Sequence, residues 1–290
     1  MREMRLLVVG ATGLIGRPVA QRLLADGHHV RLLVRHPARA RETLGEGFEY
    51  VPGSVTDVQA VDRAVRGTDA VHVSLGAEDP ARLEAVEHRG TAAVAAAAAR
   101  HDLQRISYLT GSLVRVDYGR KILVHRVKLA AEHAIEDSGV PFTFFRATYF
   151  TNTLPRHVRG PFVVMLGRLR QPLHPVCAED FAAQVSRAFT TPAAADRDLY
   201  VLGPQALHLH EALAVFRRTV VPHHLLVTVP IGVVSLLDRP LVRGRLAPSL
   251  QIMRLIARLG KVGDPGPANE LLGAPTTTVE AWCRRQAALL

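Results

Sequence analysis

The sequence has few of the residues that build disulfide scaffolds or metal clusters. Only two of its 290 residues are cysteines, Cys177 and Cys283, and they lie far apart without a metal-binding or redox motif. The fourteen histidines show no spacing typical of a zinc site. We therefore expect no metal, and we expect two free thiols, which indicate a reducing compartment.

Long apolar runs are also missing. The apolar stretch 225–237 has 13 residues and is interrupted by Pro230, whereas a helix needs about 20 residues to cross a bilayer. The sequence therefore predicts no membrane span, although this stretch suits either peripheral contact with a membrane or packing against the main domain. A strand pattern begins almost at Met1, so we expect no signal peptide and a cytoplasmic protein.

Acidic and aromatic residues are scarce relative to basic ones. The chain has 36 Lys and Arg against 26 Asp and Glu, a net charge of +10, and only 5% aromatic residues. Excess positive charge suits nucleic acid, an anionic membrane or a phosphate-rich ligand. The basic residues are scattered and no recognition motif accompanies them, so nucleic-acid binding is disfavoured. Part of the excess suits a cofactor that carries phosphate.

The most informative pattern that is present is a glycine turn near the start. An apolar run at 6–9 leads directly into it, and an amphipathic stretch at 17–25 follows. The turn reads Gly10, Ala11, Thr12, Gly13, Leu14, Ile15, Gly16. Glycines at this spacing between a strand and a helix let a pyrophosphate approach bare backbone amides at the positive end of the helix. A purely structural strand–turn–helix is the alternative.

Strand and helix patterns alternate through the first half of the chain. Predicted strands are 5–9, 29–35, 49–52, 70–74, 105–109 and 142–147, and predicted helices are 14–25, 38–44, 58–65, 81–100 and 121–138. This alternation predicts an α/β fold with a doubly wound parallel sheet of the dinucleotide-binding (Rossmann) type. We expect a dinucleotide-binding domain over 1–150. A smaller, mostly helical substrate lobe over 151–290 would cover the strand ends, without a clean boundary.

The glycine spacing with Ala11 and Thr12 resembles that of the atypical and extended short-chain dehydrogenase/reductases. The segment from His28 to Arg35 is most similar to their NmrA-like branch. That branch holds isoflavone-reductase-like enzymes, quinone reductases, redox-sensing regulators and the nucleotide-binding accessory subunit of respiratory complex I. The closing segment 271–277 with Trp282 resembles the complex I-like branch more than the others. The resemblance implies an NAD(P)-binding protein.

The end of the second predicted strand indicates which cofactor is bound. NAD requires a carboxylate there to accept from the ribose 2′-hydroxyl, but this strand ends in Arg35, and Arg39 and Arg41 follow. Arginine grips a 2′-phosphate with parallel N–H donors. We therefore predict NADP(H) over NAD(H), with Arg35 as the main contact and a solvated arginine as the alternative.

The resemblance implies further cofactor contacts at the ends of the later strands. Asp57 matches the second aspartate of an element beside the adenine, and it also suits the N-cap of the next helix. The backbone at Ser74, Leu75 and Gly76 would border the ribose and pyrophosphate, and Thr110 of strand five belongs to the same set.

The catalytic motif of the family is incomplete here. Ser112 matches the hydroxyl that polarises the acceptor, and Lys128 matches the lysine that holds the nicotinamide ribose, but Val124 stands where the proton-donating tyrosine is expected. His125 and Tyr149 are candidate substitutes, each with an ordinary packing role as its alternative. Tyr118 is a third candidate of the same kind.

These residues lead to two functional hypotheses. The first is an NADP(H)-dependent oxidoreductase that passes a hydride to a quinone, a carbonyl or an activated alkene, with a small-molecule substrate as partner. The second is a non-catalytic NADP(H)-binding sensor or assembly factor, which the missing tyrosine favours. Lys128 and Glu132, one turn apart, also suit a plain ion pair on one helix.

Overall fold

The computed structural model describes residues 3–76, 79–117, 122–167, 169, 171–230, 232 and 263–289. The strands in these ranges are β1 (Arg5–Val9), β2 (His29–Val34), β3 (Glu49–Pro52), β4 (Ala70–Val73), β5 (Arg105–Gly111), β6 (Phe142–Ala147), β7 (Val158–Arg159), β8 (Phe162–Leu166), β9 (Arg197–Val201) and β10 (Leu225–Val229). The α-helices are α1 (Gly16–Ala25), α2 (Pro37–Leu44), α3 (Val58–Val65), α4 (Pro80–Leu83), α5 (Gly90–Arg100), α6 (Leu123–Asp137), α7 (Ala178–Thr190), α8 (Leu209–Thr219), α9 (Gly266–Leu272) and α10 (Val279–Ala287).

A seven-stranded parallel sheet forms the centre of the fold, in the order β3-β2-β1-β4-β5-β6-β9. β4 is buried along its whole length and β1 along all but its first residue, as expected of a sheet with helices on both faces. The chain order reverses between β1 and β4, and the carboxyl ends of these two strands border a crevice. The predicted doubly wound α/β sheet is confirmed.

The side chains of β1 alternate between two apolar layers. Leu6 and Val8 pack in the layer that contains α1 and α7, whereas Leu7 and Val9 pack in the layer that contains α3, α5 and α6. This period of two is what a strand buried on both faces requires. Packing on both faces holds β1 in place. It therefore fixes the position of Gly10, where the chain leaves the strand.

The helix predicted over 81–100 is not regular. Between α4 and α5 the chain makes a π-helical turn over Glu84–Arg89, in which the N–H of Gly90 donates to the carbonyl of Ala85. Hydrophobic periodicity gives no sign of such a turn, because the residues EAVEHR suit an ordinary helix equally well. The turn brings Glu87 to a fully buried position above the sheet.

The second half of the chain adds a smaller lobe. A three-stranded sheet of β10, β8 and β7, which the sequence analysis did not predict, packs with α8 and α10 around Trp282 and Phe216. Other parts of this half return to the central layers, because β9 pairs with β6 and α7 packs against α1. The proposed division at residue 150 stays a prediction.

The apolar stretch 225–237 is described only in part. Residues 225–229 form β10, which pairs in parallel with β8, and most of the remainder lies outside the described residues. Among the residues that the structure describes, no helix is long and apolar enough to cross a membrane.

Candidate functional site

The turn between β1 and α1 depends on glycine at two positions. Gly10 has a φ of +93°, and a Cβ there would lie 2.2 Å from the carbonyl oxygen of Ser74 at the end of β4. A Cβ on Gly16 would lie 2.2 Å from the carbonyl oxygen of Gly10. The turn therefore lies directly against the neighbouring strand and the first turn of α1, as the glycine spacing predicted.

The same turn presents backbone donors toward open space. The N–H of Gly13 donates to the carbonyl of Gly10 at 2.9 Å and closes the turn. Within the described ranges no protein acceptor receives the N–H groups of Thr12, Leu14 or Ile15, which lie at the N-terminus of α1. Unpaired amides at the positive end of a helix form a binding site for an anionic group such as a diphosphate.

A cavity of about 770 Å³ opens in front of these amides. It runs from the end of β2 past the glycine turn to the end of β5. It is lined by Val9, Gly10, Thr12, Gly13, Leu14, Ile15, Leu33, Val34, Arg35, Gly53, Ser54, Val55, Ser74, Leu75, Gly76, Asp79, Arg82, Val86, Leu109, Thr153 and Arg156. Nine of the predicted cofactor residues are therefore brought together at one cavity.

Arg35 lies at the β2 end of this cavity with an exposed side chain. No ion pair of its guanidinium occurs among the described residues. Arg41, by contrast, is engaged: it lies over the ring of Tyr50, 5.1 Å from its centroid, and 3.8 Å from a carboxylate oxygen of Glu46. Of Arg35, Arg39 and Arg41, Arg35 is thus the one that lines the cavity.

Five predicted cofactor residues do not line the cavity: Lys128, which is described below, and four others. The side chain of Ala11 is buried in the apolar layer of α1, and Gly16 is buried at the start of that helix. Asp57 caps α3, accepting from the N–H groups of Gln59 and Ala60 at 3.0 and 3.2 Å. The hydroxyl of Thr110 donates to Glu132 at 2.6 Å.

Lys128, predicted to hold the ribose, is bound to a residue that the sequence analysis did not single out. Its ammonium donates to Oε1 of Glu87 at 2.5 Å and to the carbonyl of Leu109 at 3.1 Å. Leu109 lines the cavity, so Lys128 lies directly behind the cavity wall. The same oxygen of Glu87 accepts the hydroxyl of Tyr108 at 2.9 Å.

Glu132 does not pair with Lys128, so the alternative of a plain ion pair on one helix is wrong. Glu132 is fully buried and binds Arg146 through two hydrogen bonds of 3.1 and 2.9 Å. Burial opposes ionisation of Glu132, but the bonds from Arg146, Thr110 and Arg115 together outweigh it and hold the pKa of the carboxyl below its usual range. Arg115 also donates to Glu132, at 2.7 Å, and ties the loop after Ser112 to α6.

The remaining catalytic candidates lie near the cavity without lining it. Ser112 is buried at the end of β5, where its N–H donates to the carbonyl of Ala147 at 3.0 Å. His125 is buried on α6, three residues before Lys128. Burial raises the pKa of Tyr149 to about 12, and its hydroxyl is hydrogen-bonded to Nε2 of His157 at 3.1 Å. Tyr118 lies outside the described residues.

A family model for NAD(P)H-binding proteins matches residues 10–192, from the glycine turn to the end of α7. The chain belongs to the NAD(P)H-binding family. Among curated relatives, the (4-alkanoyl-5-oxo-2,5-dihydrofuran-3-yl)methyl phosphate reductase of Streptomyces griseus subsp. griseus is 38% identical over 216 residues, covering 73% of each chain. The NAD(P)H azoreductase of Xenophilus azovorans is 28% identical, covering 72% of this chain and 71% of that protein.

Solved structures share this fold over nearly the whole chain. The Citrobacter sp. triphenylmethane reductase complexed with NADP(H) has a TM-score of 0.72 at 20% identity, covering 98% of this chain and 99% of that one. The Escherichia coli quinone oxidoreductase QOR2 with NADPH has a TM-score of 0.74 at 18% identity, covering 97% and 99%. The predicted membership of an NAD(P)-binding family and the prediction of an NAD(P)H-dependent oxidoreductase are confirmed.

Sequence reasoning missed the part of the cavity that follows β4 and β6. Asp79 caps α4, accepting from the N–H of Ala81 at 3.0 Å, and Arg82 on the same helix lines the cavity. Thr153 and Arg156 line it from the 3₁₀ helix Thr151–His157. The Asp79-Pro80 pair could have indicated this part of the cavity. Such a pair is typical of a helix start, and here it follows shortly after the end of a strand.

Proposed function

We propose that this cavity holds NADP(H) and that the protein is an NADPH-dependent reductase of a carbonyl-conjugated alkene. The observation that supports it most is the continuous lining from Arg35, through the glycine turn, to Leu109 beside Lys128. A cation, a set of unpaired amides and a second cation follow one another in the order in which an NADP molecule carries its 2′-phosphate, diphosphate and nicotinamide ribose.

The residues present fit this cofactor. Side chains on Gly10 and Gly16 would push the turn away from Ser74 and from α1, and the absence of those side chains keeps the amides of Thr12, Leu14 and Ile15 facing the cavity. We assign the 2′-phosphate to Arg35, the diphosphate to the turn, and the adenosine ribose to the backbone at 74–76. We assign Asp57 and Thr110 indirect roles at this site. Asp57 caps α3, and Thr110 donates a hydrogen bond to the buried carboxylate of Glu132.

Replacing Arg35 by alanine should remove the preference for the phosphorylated cofactor. A charge-assisted hydrogen bond contributes about 1.5–3 kcal/mol, so NADPH should bind about 10- to 100-fold more weakly, while NADH binding stays unchanged. Titration of both reduced cofactors by calorimetry measures this. Arg41→Ala is the control, because that guanidinium already stacks on Tyr50. An equal loss for NADPH and NADH would remove Arg35 from this role.

The acceptor is proposed from the relatives and from the donors at the β5 end of the cavity. The Streptomyces griseus relative is named as a reductase of a dihydrofuranone phosphate, which contains an alkene conjugated to a carbonyl. The reduced nicotinamide supplies a hydride when it is bound. We assign to Ser112 a hydrogen bond to the acceptor oxygen, where negative charge builds during reduction, and to Lys128 the nicotinamide ribose. His125 and Tyr149 stay proposed proton donors.

A panel of acceptors tests this function. We expect the protein to oxidise NADPH with a butenolide or another conjugated enone, more slowly with a benzoquinone, and more slowly still with a simple aldehyde. Lys128→Met should lower turnover with every acceptor. Saturable NADPH binding with no oxidation by any acceptor would contradict the proposal and favour the non-catalytic sensor.

We place the protein in the cytoplasm, because Cys177 and Cys283 are both free, buried thiols.

A further inference from the structure

Glu87 is a buried carboxylate that the proposed reaction does not use. It has no exposed surface, and it lies in the π-helical turn Glu84–Arg89. Burying a carboxylate is costly unless it is paired and hydrogen-bonded. π-helical turns are rare and are frequent at functional sites. A buried carboxylate and a π-helical turn therefore coincide at Glu87, beside Lys128.

Three elements converge on one oxygen of Glu87. Its Oε1 accepts from Lys128 of α6 at 2.5 Å and from Tyr108 of β5 at 2.9 Å. Burial and the adjacent Glu87 carboxylate raise the pKa of Tyr108 well above its ordinary value, so the phenol keeps its proton and remains a donor to that oxygen. The ammonium of Lys128 also lies 5.1 Å from the centroid of the Tyr108 ring.

The position of the Lys128 ammonium follows from these contacts. Its side chain is only 17% exposed, and its second hydrogen bond goes to the carbonyl of Leu109, a residue of the cavity wall. A long lysine side chain has many conformations in solution, and two fixed acceptors on opposite sides restrict it to one. Glu87 supplies the only carboxylate that binds this ammonium among the described residues.

We propose that Glu87 is a positioning residue for Lys128: it fixes the ammonium against the cavity wall at Leu109. The π-helical turn serves to bring the Glu87 carboxylate inward to this point. The importance of this for reduction rests on the proposed function, in which Lys128 contacts the nicotinamide ribose. The pairing itself is tested without cofactor.

The test measures how fast acetic anhydride modifies Lys128 at neutral pH. The sequence has three lysines, so Lys121 and Lys261 serve as internal references in the same peptide map. In Glu87→Gln the amide keeps an acceptor but loses the charge, so the charge-assisted hydrogen bond that holds the Lys128 side chain against the wall is weakened and the reagent reaches it more often. We expect the rate to increase about tenfold or more, the factor by which losing such a bond shifts an equilibrium.

The matched control is Glu84→Gln on the same π-helical turn. Glu84 is bound to His88 at 2.6 Å on the partly exposed side of the turn, so this variant should leave the reactivity of Lys128 unchanged. An unchanged rate in folded Glu87→Gln, or an equal increase in Glu84→Gln, overturns the proposal. If Glu87→Gln does not fold, Glu87→Asp decides: the shorter side chain withdraws the carboxylate, and an unchanged rate there overturns the proposal too.

Repeating the labelling of the wild-type protein with saturating NADPH separates this inference from the proposed function. Protection of Lys128 supports its place at the cofactor. Absence of protection, with the Glu87 dependence retained, overturns that place but supports Glu87 as the residue that holds Lys128. A lower kcat together with a weaker NADPH affinity in folded Glu87→Gln, and an altered pH profile, would be the kinetic consequence of a displaced ammonium.

Discussion

Gly10→Ala is expected to lower NADPH affinity on the order of 100-fold, because the added methyl group cannot be accommodated where Gly10 now lies. The new Cβ would lie 2.2 Å from the carbonyl oxygen of Ser74 and 2.9 Å from its carbonyl carbon. Both atoms belong to backbone at the end of β4, so neither can rotate away. The turn itself must move, and a displacement of about 1 Å in a binding site typically costs that factor.

The positive φ of Gly10 also disfavours alanine, apart from the steric clash. A control variant separates the effect of φ from that of the clash. Its φ of +93° is unfavourable for any residue with a side chain. Gly67 has a φ of +75° in the turn after α3, but nothing lies within 4 Å of the position of its Cβ. Gly67→Ala should therefore lower the free energy of unfolding by about 1 kcal/mol and leave NADPH binding unchanged.

Calorimetric titration of both variants with NADPH, alongside thermal unfolding, checks this result. If Gly10→Ala binds NADPH as tightly as the wild type, the diphosphate does not lie on the glycine turn and the site assignment fails. If both variants lose the same affinity, general destabilisation explains the loss and the steric argument is wrong.

The sequence predicts those parts of the site whose pattern lies within one short, contiguous segment. The turn from Gly10 to Gly16 was predicted because an apolar strand, three glycines and a helix start are contiguous. Arg35 followed from its place at the end of a strand. The residues beyond β6 were not predicted, because Thr153 and Arg156 reach the cavity through a 3₁₀ helix that has no periodic pattern.

The partners of the buried charges were not readable either. Lys128 and Glu132 are four residues apart on one helix, which favours a local pair, but each binds a residue on another element. Glu87 lies 41 residues from Lys128, and the π-helical turn that buries it resembles a normal helix in sequence.

The strand β8 was not predicted either. Its residues FVVML form an apolar run, but the frequent prolines of this half of the chain obscured the strand pattern.

The largest expected loss of stability comes from Arg146→Met. Arg146 is 1% exposed and Glu132 is fully buried, and the guanidinium makes two hydrogen bonds to that carboxylate. Removing one partner of a buried pair leaves the other charge uncompensated, which typically costs 3–5 kcal/mol. Arg115 still donates to Glu132 at 2.7 Å, so we expect a loss of about 3 kcal/mol, near the lower end of that range.

Arg284→Met is the matched control for this variant. Arg284 and Glu280 form an ion pair of 2.6 Å on α10, but their side chains are 69% and 62% exposed, so its removal should leave the free energy of unfolding nearly unchanged. Adding Glu132→Leu to Arg146→Met should recover part of the loss, because it removes the uncompensated charge. Urea unfolding measures all three variants. Equal losses for Arg146→Met and Arg284→Met would show that the buried network under Ser112 and Lys128 is held by packing rather than by its charges.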